Sequence, residues 1–387
     1  MSAAMLFHRH TPWQSAIRCS TNIYAGLFQD EGYDVAYMQG LVHLGHVLAR
    51  RGQWQSWRRG PRRDHGGWIF TPCSVIPYAN RWPFNTSLAA HLSYRSCVPS
   101  IRSLFRRSGA SAPEVIWSAN PGSIGLRRLF PRARFVFQVV DYYPAYSGES
   151  VKRVEREDYR GADHVFVIGE TLKRYLLDEH RIEEKKITVL GQGVFCDAYA
   201  KEWPVPTELR DVPRPIGIWV GLLSKGDPAL FSAAAEALRR RGGTLVLIGP
   251  AASWASELQH RADNVRVLGA RAPQAVPAYL AHADLALMLY DQNTLAKYKG
   301  QNPLKLYEFA AAGLPIVSTP HEEYAYLKPP VLAVNNAEQV EGAIDEALRQ
   351  RDEMRRRALE FAAAHSWRNT FQRARREIVR LLPGHAA

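Results

Sequence analysis

The sequence has few cysteines, no long apolar run and no recognisable export signal. Its four cysteines form no CxxC pair, which argues against a zinc site or a disulfide framework and favours a reducing compartment. No apolar stretch approaches the roughly 20 residues that cross a bilayer as a helix. The opening MSAAMLFHRH lacks the basic start and long apolar middle of a signal peptide. We therefore expect a cytoplasmic protein.

Lysine is absent from residues 1–140, although arginine is abundant there. This stretch holds 17 arginines and 5 acidic residues, so it carries 12 of the 13 net positive charges of the whole chain. Such an asymmetry indicates an anionic partner for the first third of the chain. The composition alone leaves open a membrane surface, a phosphorylated substrate or a nucleic acid.

Short β-rich segments alternate with segments of helical periodicity along most of the 387 residues. The proline-rich stretch 201–215 interrupts this alternation, which then resumes. We therefore predict an α/β protein with two doubly wound, Rossmann-like domains in tandem, bounded at 1–205 and 206–365, and a last helix in 366–387. Ligands bind at the carboxyl ends of strands in such folds, so a cleft between the two domains is the expected site.

The segment NPLKLYEFAAAGLPIVST, residues 302–319, predicts a short helix with firm boundaries. Asn302 is a favourable N-cap, and Pro303 suits the first helical position. Gly313 suits the left-handed position after the last turn, and Pro315 prevents continuation. A helix start of this kind presents free N–H groups to an anion such as phosphate.

Two charged residues of this helix indicate what the anion is. A cation near the positive end of the helix dipole, such as Lys305, is unfavourable unless an anion lies beside it. Glu308, one turn further on the same face, can accept two hydroxyl hydrogen bonds such as a ribose offers. This pattern favours a nucleoside diphosphate. The alternative is a surface Lys–Glu pair, which contributes only a few tenths of a kcal/mol.

The same segment resembles the donor-binding segment of bacterial two-domain glycosyltransferases of the GT-B fold. NVRVLGARAPQAVPAYLAHADLALMLY before it and SWRNTFQRARREIVRLL after it resemble the neighbouring segments of that family. The resemblance covers most of residues 130–380. It is nearest to the inverting enzymes of exopolysaccharide assembly, such as the glucuronosyltransferase of xanthan synthesis. In that family the last helix crosses back to the first domain.

The resemblance implies a role for individual residues. Lys305 would neutralise the diphosphate of a UDP-sugar, and Glu308 would hold the ribose. Other implied donor-binding positions are Leu304 and Tyr290 in the pocket, Gly221 near the phosphates, and Ala270 and Arg271 at the base. Many retaining members carry a further glutamate at the position of Gly300, and its absence here favours an inverting reaction.

An inverting transfer needs a general base, and Asp141 is our leading candidate. It follows the apolar segment FVFQVV, where a strand would end at the site. Asp141 is as well explained as a cap of the following turn. His8, His10 and Glu149 are secondary candidates for substrate contact or base. Because cations and a helix dipole can stabilise the leaving diphosphate, we expect neither a metal nor any other cofactor.

The segment LARRGQWQSWRRGPRR mixes arginine with tryptophan, a combination suited to a bilayer interface. The predicted membrane-docking residues are Trp54, Trp57, Arg58, Arg59, Arg62 and Arg63. Basic residues interleaved with aromatic residues also serve nucleic-acid binding. No nucleic-acid-binding motif accompanies them here, so we expect no nucleic-acid partner.

Together these features predict a glycosyltransferase on the inner face of the plasma membrane. It would move a sugar, with glucuronic acid as one candidate, from a UDP-sugar to a polyprenyl-diphosphate-linked saccharide in exopolysaccharide synthesis. The N-terminal domain would bind the acceptor and the membrane, and the C-terminal domain would bind the donor. Two alternatives stay open: a nucleotide-sugar epimerase on the same fold, and a non-catalytic binder of anionic surfaces or nucleic acid.

Overall fold

The computed structural model describes residues 3–15, 19–79, 81–293 and 299–382. The chain divides into two compact units. The first unit combines Met1–Leu190 with Phe371–Ala387, and the second is Gly191–Thr370. Part of the segment 366–387 that we predict as the last helix, residues 383–387, lies outside the described residues.

The first unit is built on a sheet of eight described strands in the order β10-β9-β8-β7-β1-β2-β5-β4. Every neighbouring pair is parallel except β4 and β5, which form an antiparallel hairpin at one edge. The strands of the first unit are β1 Ala4–Arg9, β2 Asp34–Gln39, β3 Val42–His43, β4 Arg62–Asp64, β5 Gly67–Phe70, β6 Cys73–Ser74, β7 Val115–Ser118, β8 Arg134–Val139, β9 His164–Val167 and β10 Ile187–Val189.

Helices connect these strands, as an alternating pattern requires. Polar caps begin two of them: the Thr86 side chain accepts from the Ala89 N–H, and that of Ser100 accepts from the Ser103 N–H. The helices of the first unit are α1 Ser20–Asp30, α2 Leu44–Leu48, α3 Trp54–Arg59, α4 Ser87–Arg95, α5 Ile101–Ser108, α6 Ile124–Leu129, α7 Pro144–Ser147, α8 Val151–Gly161 and α9 Glu170–Asp178.

Aromatic side chains fill the core of the first unit. The Trp117 ring is fully buried and lies 5.5 Å from the Phe7 ring and 4.7 Å from the Phe166 ring, centroid to centroid. Phe371, from the end of the chain, packs its ring 4.9 Å from that of Phe28. The C-terminal residues therefore complete the core of the first unit.

The second unit contains a six-stranded parallel sheet in the order β13-β12-β11-β14-β15-β16. The order reverses at β11, so the loops that follow β11 and β14 leave the sheet side by side. The strands are β11 Ile216–Val220, β12 Thr244–Ile248, β13 Val265–Gly269, β14 Leu285–Met288, β15 Ile316–Ser318 and β16 Val331–Ala333.

Helices again follow the strands of this sheet. The helices that begin in the second unit are α10 Asp197–Ala200, α11 Pro228–Arg239, α12 Ser253–Arg261, α13 Val276–Ala281, α14 Leu304–Ala311, α15 Tyr324–Leu327, α16 Glu338–Arg349, α17 Arg351–Ala364 and α18 Trp367–Leu381. Asp227 caps α11 with two hydrogen bonds, from the N–H groups of Ala229 and Leu230. The predicted α/β class with two Rossmann-like sheets is confirmed.

Candidate functional site

Gly221, directly after β11, allows a side chain to approach the backbone very closely. Its φ is +138°, and a Cβ atom at this position would lie 2.5 Å from the Nζ atom of Lys305. Any larger residue would therefore displace the lysine and strain the backbone. The structure thus brings together two predicted donor-site residues that are 84 positions apart in the sequence.

Helix α14 carries Lys305 in its first turn, although the helix starts one residue later than we predict. Pro303, with φ −73° and ψ 127°, occupies the N-cap position that we assign to Asn302. The Asn302 side chain is buried and accepts a hydrogen bond of 2.8 Å from the Tyr307 hydroxyl instead. The predicted end is confirmed, because Gly313 adopts φ +68° after the last turn.

The ammonium group of Lys305 lies over aromatic rings. Its Nζ atom is 3.6 Å from the centroid of the Trp219 ring and 5.0 Å from that of Tyr290. Within the described part of the chain, this ammonium forms no hydrogen bond and no ion pair. A cation over an indole face is stabilised by the ring quadrupole, but its three N–H donors stay available for an anion.

Further basic groups surround Lys305. Burial, and next the nearby charge of Lys225, lower the pKa of Lys305 to about 7, while Glu308 acts in the opposite direction. Burial, followed by the charges of Lys305 and Lys225, lowers the pKa of His321 to about 4. The His321 ring is almost fully buried, 5.0 Å from the Tyr290 ring, and its Nε2 atom has no hydrogen-bond partner among the described residues. This cluster is electrostatically suited to receive an anion.

The other predicted donor-site residues of α14 and β14 lie around this cluster. Glu308 is partly buried one helical turn after Lys305, and Leu304 is partly buried at the first position of the helix. Tyr290 is 3% exposed and its backbone N–H donates to the Thr319 hydroxyl at 3.1 Å. Sequence reasoning missed Trp219 and His321, since a tryptophan within a strand and a histidine after one are ordinary features.

Ala270 and Arg271 follow β13, at the same end of the sheet. The guanidinium of Arg271 is committed to its own unit, because it donates 2.8 Å to the Glu208 carboxylate and 2.9 Å to the Tyr279 hydroxyl. Ala270 is exposed. The Arg271 side chain is therefore held by protein partners, and the contact of these two residues with a base stays a prediction.

A second candidate site lies in the first unit, in a pocket of about 500 Å³. Asp141 lines it just beyond the end of β8, and its Oδ2 atom is 3.6 Å from an Nη atom of Arg9. The pocket lies at the carboxyl ends of the adjacent strands β1, β7 and β8, where α/β proteins place ligands. Its lining side chains include Arg9, His10, Tyr78, Asn120, Tyr143 and Tyr146.

The secondary candidates near Asp141 have different surroundings. His8 belongs to β1 rather than to the loop after it, and it is fully buried with its Nδ1 atom 3.0 Å from the Ser118 hydroxyl. Our expectation that His8 contacts a substrate is therefore wrong. His10 lines the pocket. Glu149 is exposed, outside the pocket lining, and 3.0 Å from the ammonium of Lys152.

The arginine- and tryptophan-rich segment forms α3 and most of the edge strand β4 of the first sheet. Trp54 and Trp57 are partly buried, and the guanidinium of Arg58 lies 6.0 Å from the Trp54 ring centroid. Arg58, Arg59 and Arg63 are exposed, and Arg62 is partly buried.

Large apolar side chains that sequence reasoning did not single out are also exposed in the first unit. Three have exposed fractions above two thirds: Trp82 (82%), Leu48 (77%) and Leu88 (68%). Val98 is 60% exposed, and its carbonyl accepts a long hydrogen bond of 3.4 Å from the Trp57 indole N–H. Clusters of arginine and exposed apolar side chains therefore coexist in this unit.

The described residues contain no group of three or more His, Cys, Asp or Glu side chains arranged to hold a metal ion. They also contain no helix with the length and hydropathy needed to cross a membrane.

The basic cluster predicts a measurable stability effect. Lys305→Met should raise the free energy of unfolding at pH 7 by about 1–2 kcal/mol, because it removes a cation that folding disfavours. The pKa of Lys305 is lower in the folded protein (about 7) than its ordinary 10.5, so the wild type gains stability as pH rises from 7 to 10. The difference between the proteins should therefore shrink over that window.

Urea unfolding at pH 7 and pH 9.5 measures this difference. Lys185→Met is the matched control, because Lys185 is 82% exposed and should show neither effect. A Lys305→Met protein that is less stable than the wild type at pH 7 would contradict a lowered pKa of Lys305 in the folded protein.

Comparisons with known proteins agree with this architecture. Residues 214–350 match a family model described as "Glycosyl transferases group 1". A Bacillus subtilis (strain 168) protein described as a teichuronic acid biosynthesis glycosyltransferase is 27% identical over 221 residues. That alignment covers 53% of this chain and 55% of the relative, so it spans about half the length of each.

Solved structures match over nearly the whole chain. A sucrose-phosphate synthase from Thermosynechococcus elongatus has a TM-score of 0.70 at 14% identity and covers 99% of this chain and 100% of its own. The Anabaena protein HepE in complex with UDP and glucose has a TM-score of 0.65 at 15% identity, with 97% and 99% covered. A Rickettsia africae glycosyltransferase has a TM-score of 0.67 at 14% identity, with both chains covered completely. The chain therefore has the GT-B fold, and its segment 214–350 carries the sequence pattern of the group 1 glycosyl transferases.

Proposed function

We propose that the protein is a glycosyltransferase of cell-surface polysaccharide synthesis that takes its sugar from a UDP-sugar. The observation that carries this proposal is the Lys305 ammonium at Gly221 and Trp219, without an acceptor among the described residues. A half-buried cation with free donors, beside a second lysine, is stabilised by an anionic ligand. The B. subtilis relative and the UDP and UDP-glucose complexes of HepE support the choice of donor and process.

The donor would bind along the carboxyl edge of the second sheet. The pyrophosphate would accept hydrogen bonds from Lys305 and from the first N–H groups of α14, close to Gly221. Glu308 would accept the ribose hydroxyl groups, and Leu304 and Tyr290 would pack beside the donor. The base would meet the backbone of residues 270–271 after β13.

The acceptor would bind in the first-unit pocket. Tyr78, Tyr143 and Tyr146 offer ring faces and hydroxyl groups, and Asn120 offers an amide, which together suit a saccharide. Asp141 would take the proton of the acceptor hydroxyl as that oxygen attacks the anomeric carbon. The bond from the anomeric carbon to the diphosphate breaks, and UDP leaves with the electron pair while Lys305 stabilises its charge.

Finer features belong to the same proposal. Gly300 stands where many retaining relatives have a glutamate, which supports inversion at the anomeric carbon. We propose a reaction without a metal or other cofactor, because two lysines can neutralise the diphosphate. Glucuronic acid is the first sugar to test, and a polyprenyl-diphosphate-linked saccharide the first acceptor, because of the resemblance to enzymes of exopolysaccharide assembly.

We also propose peripheral binding of the first unit to the anionic inner face of the plasma membrane. The exposed arginines of α3 and β4 complement lipid phosphates, and Trp54 and Trp57 suit headgroup depth. The exposed Trp82 and Leu88 side chains supply apolar area in the same unit.

Lys305→Ala should weaken UDP binding by about 1.5–3 kcal/mol, because it removes a charge-assisted hydrogen bond to the diphosphate. Isothermal titration calorimetry measures the loss. Uridine, which has no phosphate, is the matched ligand and should bind both proteins equally. Equal UDP affinity of the two proteins would contradict the contact of Lys305 with the diphosphate. If the wild type bound no UDP, the proposal of a UDP-sugar donor would fail.

Asp141→Asn should reduce sugar transfer at least about 100-fold and leave UDP affinity nearly unchanged, because the amide cannot accept the acceptor proton. UDP release from a panel of UDP-sugars with a bacterial lipid extract reports transfer. Asp178→Asn, at an exposed position of α9, is the control and should stay active. A fully active Asp141→Asn protein would exclude Asp141 as the base.

Replacing Arg58, Arg59, Arg62 and Arg63 with serine should release the protein from vesicles that contain phosphatidylglycerol at 150 mM salt, because lipid phosphates lose their partners. Co-sedimentation measures binding. A variant with serine at Arg239, Arg240, Arg356 and Arg357 loses the same charge from the second unit and should stay bound. Equal release of both variants would show that net charge alone matters.

A further inference from the structure

Arg9 connects the ends of three neighbouring strands in the first unit. It is the last residue of β1, and its Nη1 atom donates a hydrogen bond of 2.7 Å to the carbonyl of Ala119, directly after β7. Its Nη2 atom lies 3.6 Å from the Oδ2 atom of Asp141, beyond the end of β8. Because β8, β7 and β1 are adjacent, one guanidinium holds the loops that form the pocket.

The pair is well shielded from water for a pair of charges. The exposed side-chain fractions are 17% for Arg9 and 32% for Asp141. Partial burial disfavours an isolated charge, so each group stabilises the ionised form of the other. Burial acts to lower the pKa of Arg9, but nearby groups that include the Asp141 carboxylate raise it above its ordinary value.

Three further residues of the described pocket lining differ from Arg9 in charge. Tyr143 donates its hydroxyl to the Ala119 carbonyl at 2.9 Å, and burial raises its pKa, so it stays neutral. His10 lines the same pocket, and burial, followed by the charge of Arg9, lowers its pKa to about 4. Asn120 is uncharged. Of these four pocket residues, Arg9 is the cation, and its Nη2 atom lies 3.6 Å from the Asp141 Oδ2 atom.

We propose that Arg9 is a positioning residue of the transfer reaction, which keeps the Asp141 carboxylate ionised and directed into the pocket. This inference rests on the proposed function, in which Asp141 is the general base. A base must be unprotonated before it accepts the hydroxyl proton, and the adjacent guanidinium favours that form. The hydrogen bond from Nη1 to the Ala119 carbonyl fixes the guanidinium, so that the carboxylate has one preferred direction.

Carboxyl-carbon NMR of protein labelled with ¹³C-aspartate tests the electrostatic part without any substrate. The Asp141 resonance is identified by its loss in Asp141→Asn. Arg9→Gln retains a long side chain with a hydrogen-bond donor but removes the charge. In this variant the titration midpoint of Asp141 should rise by about 1 pH unit or more. In Arg9→Lys, which keeps the charge, it should stay closer to the wild type.

Arg134→Gln is the matched control, because Arg134 pairs with Asp163 outside the pocket. It should not move the Asp141 resonance. Arg9→Met repeats the test if Arg9→Gln does not fold. An unchanged Asp141 titration in the uncharged Arg9 variants would overturn the inference.

Sugar transfer then separates this inference from the proposed function. Transfer is measured against pH with whichever donor of the UDP-sugar panel is active. On the acid side, the pH of half-maximal rate should be higher in Arg9→Gln than in the wild type, by the same amount as the NMR midpoint. UDP affinity should be unchanged. An unmoved acid limb in an active Arg9→Gln protein would overturn the positioning role. Full activity of Asp141→Asn would instead refute the proposed base, whatever the Arg9 variants do.

Discussion

The candidate donor site of the second unit is arranged around one ammonium group. Lys305 lies against the Trp219 indole, beside Lys225, with a pKa of about 7. A glycine at position 221 is required for this approach, because any Cβ atom there would collide with the lysine. The parallel sheet brings these residues together by placing the ends of β11 and β14 next to each other. An anion would satisfy this arrangement, and the diphosphate of a sugar nucleotide is the anion that we propose.

The candidate site of the first unit differs from that of the second in how its charges are arranged. Its pocket contains a paired cation and carboxylate, Arg9 and Asp141. The pairing favours the ionised carboxylate that the proposed base requires, whereas Lys305 has no acceptor among the described residues. Each sheet places its charged groups at the carboxyl ends of adjacent strands, so topology alone positions both sites.

Much of the fold follows from sequence patterns, and the residues at which α14 begins and ends illustrate why. Gly313 ends the helix as predicted, because only left-handed backbone permits that turn. Asn302 does not act as N-cap, because its side chain accepts a hydrogen bond from the hydroxyl of Tyr307, a later residue of the same helix. His8 lies within β1 and is fully buried, and where β1 ends is not fixed by the sequence pattern. Trp219, His321 and the Arg9–Asp141 pair depend on contacts between residues distant in sequence, which periodicity does not report.

In the proposed complex, the anionic donor favours the protonated form of Lys305 and accepts its hydrogen bonds. Calorimetry of UDP-glucose binding at pH 8, repeated in buffers with different ionisation enthalpies, tests it most directly, because this diphosphate does not titrate near that pH. With a pKa of about 7, most of the free lysine is neutral at pH 8, so binding should take up nearly one proton. Lys305→Ala should take up none. Wild-type binding without proton uptake would contradict the account.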